Sequence, residues 1–114
     1  TYLTRNLINK KKINIMNSNS ILINVSRGEI IDEKELINVL INKKIKGAAL
    51  DVFELEPLSK DSPLFNLNNV LLSPHIAGNF NDYQSNVINA FEENLNRYIN
   101  HKPLRNRVCK KRQY

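Results

Sequence analysis

The chain has 114 residues, of which 41% are hydrophobic and 25% charged, and a formal net charge of +6; this is the composition of one small globular domain. No apolar run approaches the roughly 20 residues of a membrane-spanning helix, and we recognise no signal-peptide pattern. A single cysteine, Cys109, excludes an internal disulfide or a thiolate metal cluster, so we expect a cytoplasmic protein without a membrane partner.

The first half of the chain predicts a short helix, a strand and a longer helix. Asn9–Met16 suits a short helix, and the compact run Ile21–Val25 is typical of a buried parallel strand. Asp32 and Glu35 form an acidic capping box, so a second helix is expected to begin there. Its last turn is expected near Lys43–Lys44, because basic side chains favour a helix C-terminus.

The second half predicts two more strands and a long helix. Gly47–Phe53 is small and apolar enough for a strand that is buried on both faces, and Glu54–Asn69 is expected to be a long loop. Val70–Ser73 predicts a third strand, which Pro74 would end. Apolar residues then recur at helical spacing in one amphipathic helix from Asn81 to about Asn100.

Strands that alternate with helices predict an α/β fold with a parallel sheet. Three strands are too few for a complete doubly wound domain, so we expect one half of such a sheet, followed by the long helix. We assign residues 1–101 to this unit and residues 102–114 to a basic C-terminal tail.

The excess of positive charge raises the alternative of a nucleic-acid-binding domain. The basic residues are spread along the chain, with short clusters at Lys10–Lys12, Lys43–Lys44 and Lys110–Arg112. Many nucleic-acid-binding surfaces have aromatic residues between the basic ones, and the basic clusters of this chain have none. We therefore expect solvated surface charge and no nucleic-acid partner; a steep salt dependence of binding would support the alternative.

Charged side chains follow each predicted strand. Arg27 follows the first strand, Asp51 lies at the end of the second, which leads to Glu56, and His75 follows the third. Each residue has an ordinary structural explanation by itself, such as a solvated turn, a backbone cap or loop charge. Ligands of parallel sheets, however, bind beyond the carboxyl ends of the strands. A guanidinium, two carboxylates and an imidazole at one sheet edge therefore favour a catalytic site.

Two other kinds of site are disfavoured by the sequence. Ser26, Ser73, Asp51 and His75 lack the Gly-x-Ser-x-Gly elbow of a serine hydrolase. Only His75 and His101 could supply imidazole to a metal, and their spacing is not that of a zinc site, so no metal is expected.

Three segments resemble the signatures of D-isomer-specific 2-hydroxyacid dehydrogenases. They are Asn24–Asp32, Asp51–Pro57 and Ser73–Gly78, in the family's order and spacing. The opening Thr1–Ile8 is similar to the family segment before the first signature, and the resemblance fades only beyond about Val108. It implies that the chain is the C-terminal part of a Rossmann-type NAD(P)-binding domain.

The resemblance also implies roles for individual residues. His75 matches the general acid/base, and Glu56 matches the carboxylate that pairs with it and stabilises the imidazolium. Arg27 matches the arginine that binds the substrate carboxylate, a task that suits its planar fork. Asp51 matches the residue at the nicotinamide end of the cofactor. The implied cofactor-binding residues are Val25, Ser26, Arg27, Asp51, His75, Ala77 and Gly78.

The implied function is hydride transfer between NAD or NADP and a D-2-hydroxy acid or 2-keto acid, in an enzyme expected to be a homodimer. The phosphate-binding motif Gly-x-Gly-x-x-Gly is absent and the first residue is Thr1, so we expect a fragment that is inactive alone. Asn79–Phe80 stands where relatives often carry small hydroxylated residues, which leaves the subfamily open. The substrate is also left open, because in this family the residues that select it lie mostly upstream of the matched segment. The alternatives are a non-catalytic, corepressor-like interaction module and an inactive truncated product.

Overall fold

The computed structural model describes residues 1–112. Residues 2–78 form one compact unit, and a second unit begins at Asn79. The first unit contains helix α1 (Lys10–Asn14), strand β1 (Ile21–Asn24), helix α2 (Glu33–Ile41), strand β2 (Gly47–Leu50) and strand β3 (Val70–Leu72), with 3₁₀ turns at Gly28–Ile30 and Pro63–Asn66. The second unit contains helix α3 (Tyr83–Ile99).

The three strands form one parallel sheet in the order β1-β2-β3. Asn24 pairs with Leu50, and Leu50 pairs with Leu72, so the three strands end at the same level. The predicted α/β class is confirmed. The segments after these strand ends therefore leave the sheet at one edge.

Helix α2 begins at the predicted capping box. The Asp32 side chain accepts the amide proton of Glu35 at 3.0 Å, as a residue at this position does when it caps a helix. The helix ends at Ile41, slightly before the expected end, because Lys43 takes a left-handed conformation with φ 52°. The amide of Lys44 then donates to the carbonyl of Val39 at 2.9 Å, in the manner of a Schellman motif.

The hydrophobic core lies between α2 and one face of the sheet. Leu36, Val39 and Leu40 of α2 are almost fully buried, together with Ala48 and Leu50 of β2. Burial of one such leucine or valine side chain contributes about 1.5–3 kcal/mol. The helical spacing of these residues thus fixes the face of the sheet that α2 covers.

The opposite face of the sheet is largely exposed. Ile21, Ile23 and Leu71 are 54%, 68% and 71% exposed. Successive side chains of a strand point to opposite faces, and the described elements of the first unit bury only the face that carries Leu22 and Asn24. The expectation that β1 is buried throughout was therefore wrong for this chain.

The second unit is built around α3, whose bounds confirm the long helix that the apolar spacing predicts. The start of the basic tail folds against this helix: Arg105 donates its amide to Asn94 at 2.8 Å and pairs with Glu93 at 2.9 Å. Residues 113 and 114 of the predicted tail lie outside the described residues. None of the helices in residues 1–112 is long and apolar enough to cross a membrane.

Candidate active site

A carboxylate and an imidazole pair at the carboxyl edge of the sheet. Oε2 of Glu56 lies 2.7 Å from Nδ1 of His75, and Oε1 of Glu56 accepts the amide proton of Phe53 at 3.0 Å. The hydrogen bond with His75, followed by that from Phe53, lowers the pKa of Glu56. Nδ1 is thus engaged by Glu56, while the His75 side chain is 48% exposed, so Nε2 is the nitrogen available to a ligand.

Asp51 lies directly after β2 and is only 3% exposed. Its Oδ1 accepts hydrogen bonds from the Ser73 hydroxyl and, at 2.9 Å, from the Ile76 amide. Its Oδ2 accepts the Ala77 amide at 2.8 Å. These bonds, with that from Ser73 the largest contributor, lower the pKa of Asp51 despite burial. A buried carboxylate with three donors therefore stays ionised at neutral pH.

His75 itself has a left-handed backbone, with φ 54°. A non-glycine residue in this region is uncommon and costs on the order of 1–2 kcal/mol. Here the residue two before it and the two residues after it are all bound to Asp51.

Arg27 is presented by a turn that a buried asparagine organises. Oδ1 of Asn24 accepts the amide proton of Ser26 at 3.1 Å, and its Nδ2 donates to the carbonyl oxygen of Arg27 at 2.9 Å. Asn24 is 6% exposed, whereas the Arg27 side chain is exposed. Nη1 of Arg27 donates to the carbonyl of Ser26 at 2.6 Å, which leaves its other nitrogens for a ligand.

The Arg27 turn packs against the loop that carries Glu56. A Cβ added at Gly28 would lie 1.9 Å from the carbonyl carbon of Phe53, so only glycine permits this approach. The Arg27 charge also lowers the pKa of Glu56, after the larger contributions of His75 and Phe53. The guanidinium therefore acts electrostatically on Glu56.

A cavity of about 380 Å³ opens beside this pair. Its walls are mostly apolar, with Glu56, Ser73 and His75 at its polar side. The lining residues are Phe53, Glu56, Pro57, Leu58, Phe65, Leu72, Ser73, Pro74 and His75.

The structure brings most of the predicted site residues to one edge of the sheet. Glu56 contacts His75, and Asp51 contacts Ala77, which precedes Gly78. Val25 and Ser26 lie in the turn after β1 with Arg27. Sequence reasoning missed Asn24 and Ser73, which support this arrangement. The signal for both was their position at the end of a strand, where a polar residue interrupts or follows the apolar run.

An acid–base pair and an arginine at the carboxyl edge of this parallel sheet lie where open α/β domains bind their ligands. Residues 1–77 match the family model of the D-isomer specific 2-hydroxyacid dehydrogenase, NAD binding domain. The chain belongs to this family.

Curated relatives and solved structures agree with this assignment. Glyoxylate/hydroxypyruvate reductase B of Salmonella newport (strain SL254) is 44% identical over 92 residues, which is 81% of this chain and 28% of the relative. A D-isomer specific 2-hydroxyacid dehydrogenase from Xanthobacter autotrophicus Py2, solved with NADPH and MES, is 37% identical, with a TM-score of 0.91 over 100% of this chain and 46% of that one.

A further solved structure has the same fold. The NADPH-dependent glyoxylate/hydroxypyruvate reductase from Sinorhizobium meliloti, solved with NADP and sulfate, is 29% identical, with a TM-score of 0.89 over 100% of this chain and 37% of that one. The chain thus spans less than half the length of these relatives.

Proposed function

We propose that this chain supplies the catalytic residues of an NAD(P)-dependent oxidoreductase that interconverts a D-2-hydroxy acid and a 2-keto acid. The observation that carries the proposal is the 2.7 Å contact between Glu56 and His75, at the sheet edge where Arg27 is also presented. Membership in the 2-hydroxyacid dehydrogenase family supports it. A non-catalytic interaction module would have no use for this acid–base pair.

His75 serves as the general acid in reduction of the keto acid. The hydride for the carbonyl carbon would come from a reduced nicotinamide when that cofactor is bound. Nε2 of the imidazolium gives its proton to the carbonyl oxygen, which becomes the hydroxyl of the product. Glu56, bonded at Nδ1, stabilises the imidazolium before that transfer, and the reverse reaction returns the proton to Nε2.

Arg27 binds the carboxylate of the substrate. Its guanidinium offers a planar set of N–H donors to two carboxylate oxygens and brings positive charge beside the reacting carbonyl. Asn24 holds the turn that presents it. Arg27 would thus bind the carboxylate of a small 2-keto acid, and His75 would bind the oxygen of the adjacent keto group.

Two observations support binding of the nicotinamide side of NAD or NADP at this edge of the sheet. Val25, directly after β1, is 62% exposed, and a Cβ at Gly78 would meet no atom within 4 Å, so both positions are accessible. The only glycines are Gly28, Gly47 and Gly78, and none has the spacing of a phosphate-binding loop. We infer that the remaining cofactor contacts come from a further part of the protein.

This chain by itself is therefore proposed to be inactive. The exposed apolar side chains Ile21, Ile23 and Leu71 support the view that the sheet is one half of a larger one. A homodimeric and cytoplasmic enzyme remains a prediction from the family resemblance and from the presence of a single cysteine.

A chimera tests the proposal. Residues 1–114 are fused to the C-terminus of the part of the Salmonella reductase that comes before its matched segment. Oxidation of NADH or NADPH by this chimera is then measured with glyoxylate and with hydroxypyruvate as substrates. We expect turnover by the chimera and none by the 114-residue chain alone. His75→Ala should lower kcat on the order of 10² to 10⁴-fold. His101→Ala, the matched control at the only other histidine, should leave kcat unchanged.

A folded chimera that binds cofactor but reduces no 2-keto acid would contradict the proposal. Equal rates for the wild-type and His75→Ala chimeras would contradict the role of His75.

A further inference from the structure

We propose that Asp51 is a positioning residue, which holds the segment Ser73–Ala77 so that the His75 ring meets Glu56. This inference rests on the proposed function, since His75 is the group being positioned. The family resemblance gives Asp51 only a contact with the cofactor. The structure connects it to the loop that carries the acid/base.

The contacts of Asp51 surround His75 in the chain. Ser73 donates its hydroxyl from one side, and the amides of Ile76 and Ala77 donate at 2.9 Å and 2.8 Å from the other. Both carboxylate oxygens are thereby engaged. A carboxylate that accepts several hydrogen bonds fixes its donors more firmly than a neutral acceptor does.

The backbone between these contacts is left-handed. His75 has φ 54°, and a histidine prefers negative φ values when nothing constrains it. The Asp51 bonds fix the residues on both sides, and thereby the direction in which the ring leaves the backbone. Glu56 then meets Nδ1 at 2.7 Å without a rearrangement.

Burial distinguishes Asp51 from a residue that only meets the cofactor. Asp51 is 3% exposed, whereas the His75 side chain is 48% exposed. The Asp51 carboxylate therefore faces the loop more than the solvent. Its effect on catalysis should pass through His75.

The first test is hydrogen exchange of individual amides in the 114-residue chain, which does not depend on activity. Asp51→Asn keeps the shape but replaces one oxygen with an NH₂ group that cannot accept a proton from the loop. We expect the Ile76 and Ala77 amides to exchange at least about tenfold faster. The amides of Leu36, Val39 and Leu40 in α2 should keep their rates, which shows that the core is intact.

Two further variants sharpen this test. Asp61→Asn makes the same change at an exposed aspartate of the same unit and should leave the exchange rates of the Ile76 and Ala77 amides unchanged. Ser73→Ala removes one of the three donors and should give a smaller effect in the same direction, which preserves the test if Asp51→Asn does not fold. Unchanged exchange at Ile76 and Ala77 in both variants of this network would overturn the proposal.

The second test is a double-mutant cycle in the active chimera. Asp51→Asn should lower kcat on the order of tenfold or more when His75 is present, but less than about twofold in the His75→Ala background. Residues that act as one unit show this loss of additivity. A role in cofactor contact or general folding would instead lower activity by the same factor in both backgrounds, and that result would overturn the proposal.

The two tests separate this inference from the proposed function. If the chimera reduces no 2-keto acid but the Ile76 and Ala77 amides exchange faster in Asp51→Asn, the proposed activity is wrong and the role of Asp51 in holding the loop stands. If the chimera is active and the cycle is additive, the activity stands and the positioning role fails.

Discussion

Gly28 lies so close to Phe53 that a Cβ at position 28 would be 1.9 Å from both the carbonyl carbon and the carbonyl oxygen of Phe53. This approach joins the turn that presents Arg27 to the segment that leads to Glu56. Gly28→Ala should force the two backbones apart and destabilise the chain by at least about 2 kcal/mol. Thermal unfolding followed by circular dichroism would measure the loss.

Gly78→Ala is the matched control, because a Cβ there meets nothing within 4 Å and neither glycine has positive φ. Its effect on the free energy of unfolding should stay within about 0.5 kcal/mol. Equal losses for the two variants would show that the contact with Phe53 has no energetic importance.

Glu56→Gln should change the pH dependence of keto-acid reduction. The glutamine can still accept the Phe53 amide, but it carries no charge to stabilise an imidazolium and can donate a proton towards Nδ1. We expect kcat at neutral pH to fall on the order of tenfold or more, with less loss in acidic solution. A pH profile of kcat in the chimera measures this, and a uniform loss at all pH values would contradict the pairing role.

Arg27→Lys should weaken substrate binding although the charge is kept. Lysine cannot offer the paired N–H donors that match a carboxylate, so KM for the keto acid should rise about tenfold or more while kcat changes less. Arg5→Lys is the control, because Arg5 forms an exposed ion pair with Glu29 and such pairs contribute little. An unchanged KM in Arg27→Lys would remove Arg27 from the substrate site.

Asn24→Ala should destabilise the Arg27 turn by about 1–3 kcal/mol, because the Ser26 amide and the Arg27 carbonyl lose their partner in a partly buried site. Urea unfolding of the chain measures the change. Asn19→Ala, at an exposed asparagine of the same unit, should have little effect. A loss of the same size in both variants would show that the hydrogen bonds of Asn24 are not responsible.

The lowered pKa values predict the acid stability of the chain. The pKa values of Asp51 and Glu56 are both below those of ordinary carboxyl groups. The largest cause is the hydrogen bond with Ser73 for Asp51 and the hydrogen bond with His75 for Glu56. The unfolded chain therefore takes up protons first as the pH falls. This stabilisation is complete above the unfolded pKa, near 4, and is lost as the pH falls through the folded pKa values.

Unfolding temperatures measured between about pH 6 and pH 3 test this linkage. The decline should be smaller in Asp51→Asn than in the wild type, because the variant has lost one of the carboxylates that titrate. An identical decline in both proteins would show that Asp51 does not couple folding to pH.

The alternation of apolar runs with helical periodicity was enough to predict the parallel strands and both longer helices. This is because side-chain burial follows directly from the period of each element. The same reading predicted that Arg27, Asp51, Glu56 and His75 would gather, since all of them follow strand ends and parallel strands end at one edge. The helix cap formed by Asp32 could also be predicted from the sequence, because its partner Glu35 lies only three residues away.

Only the tertiary structure decided how these residues act on one another. Asp51 meets Ile76 and Ala77 across 25 and 26 residues of chain, and no local pattern specifies such contacts. The left-handed backbone of His75 and the close approach of Gly28 to Phe53 likewise depend on segments that are distant in sequence. The exposure of one face of β1 was likewise decided by the tertiary structure. The apolar sequence of Ile21–Asn24 suits burial, but a side chain is buried only where another element packs against it, and the packing of the whole unit determines where that happens.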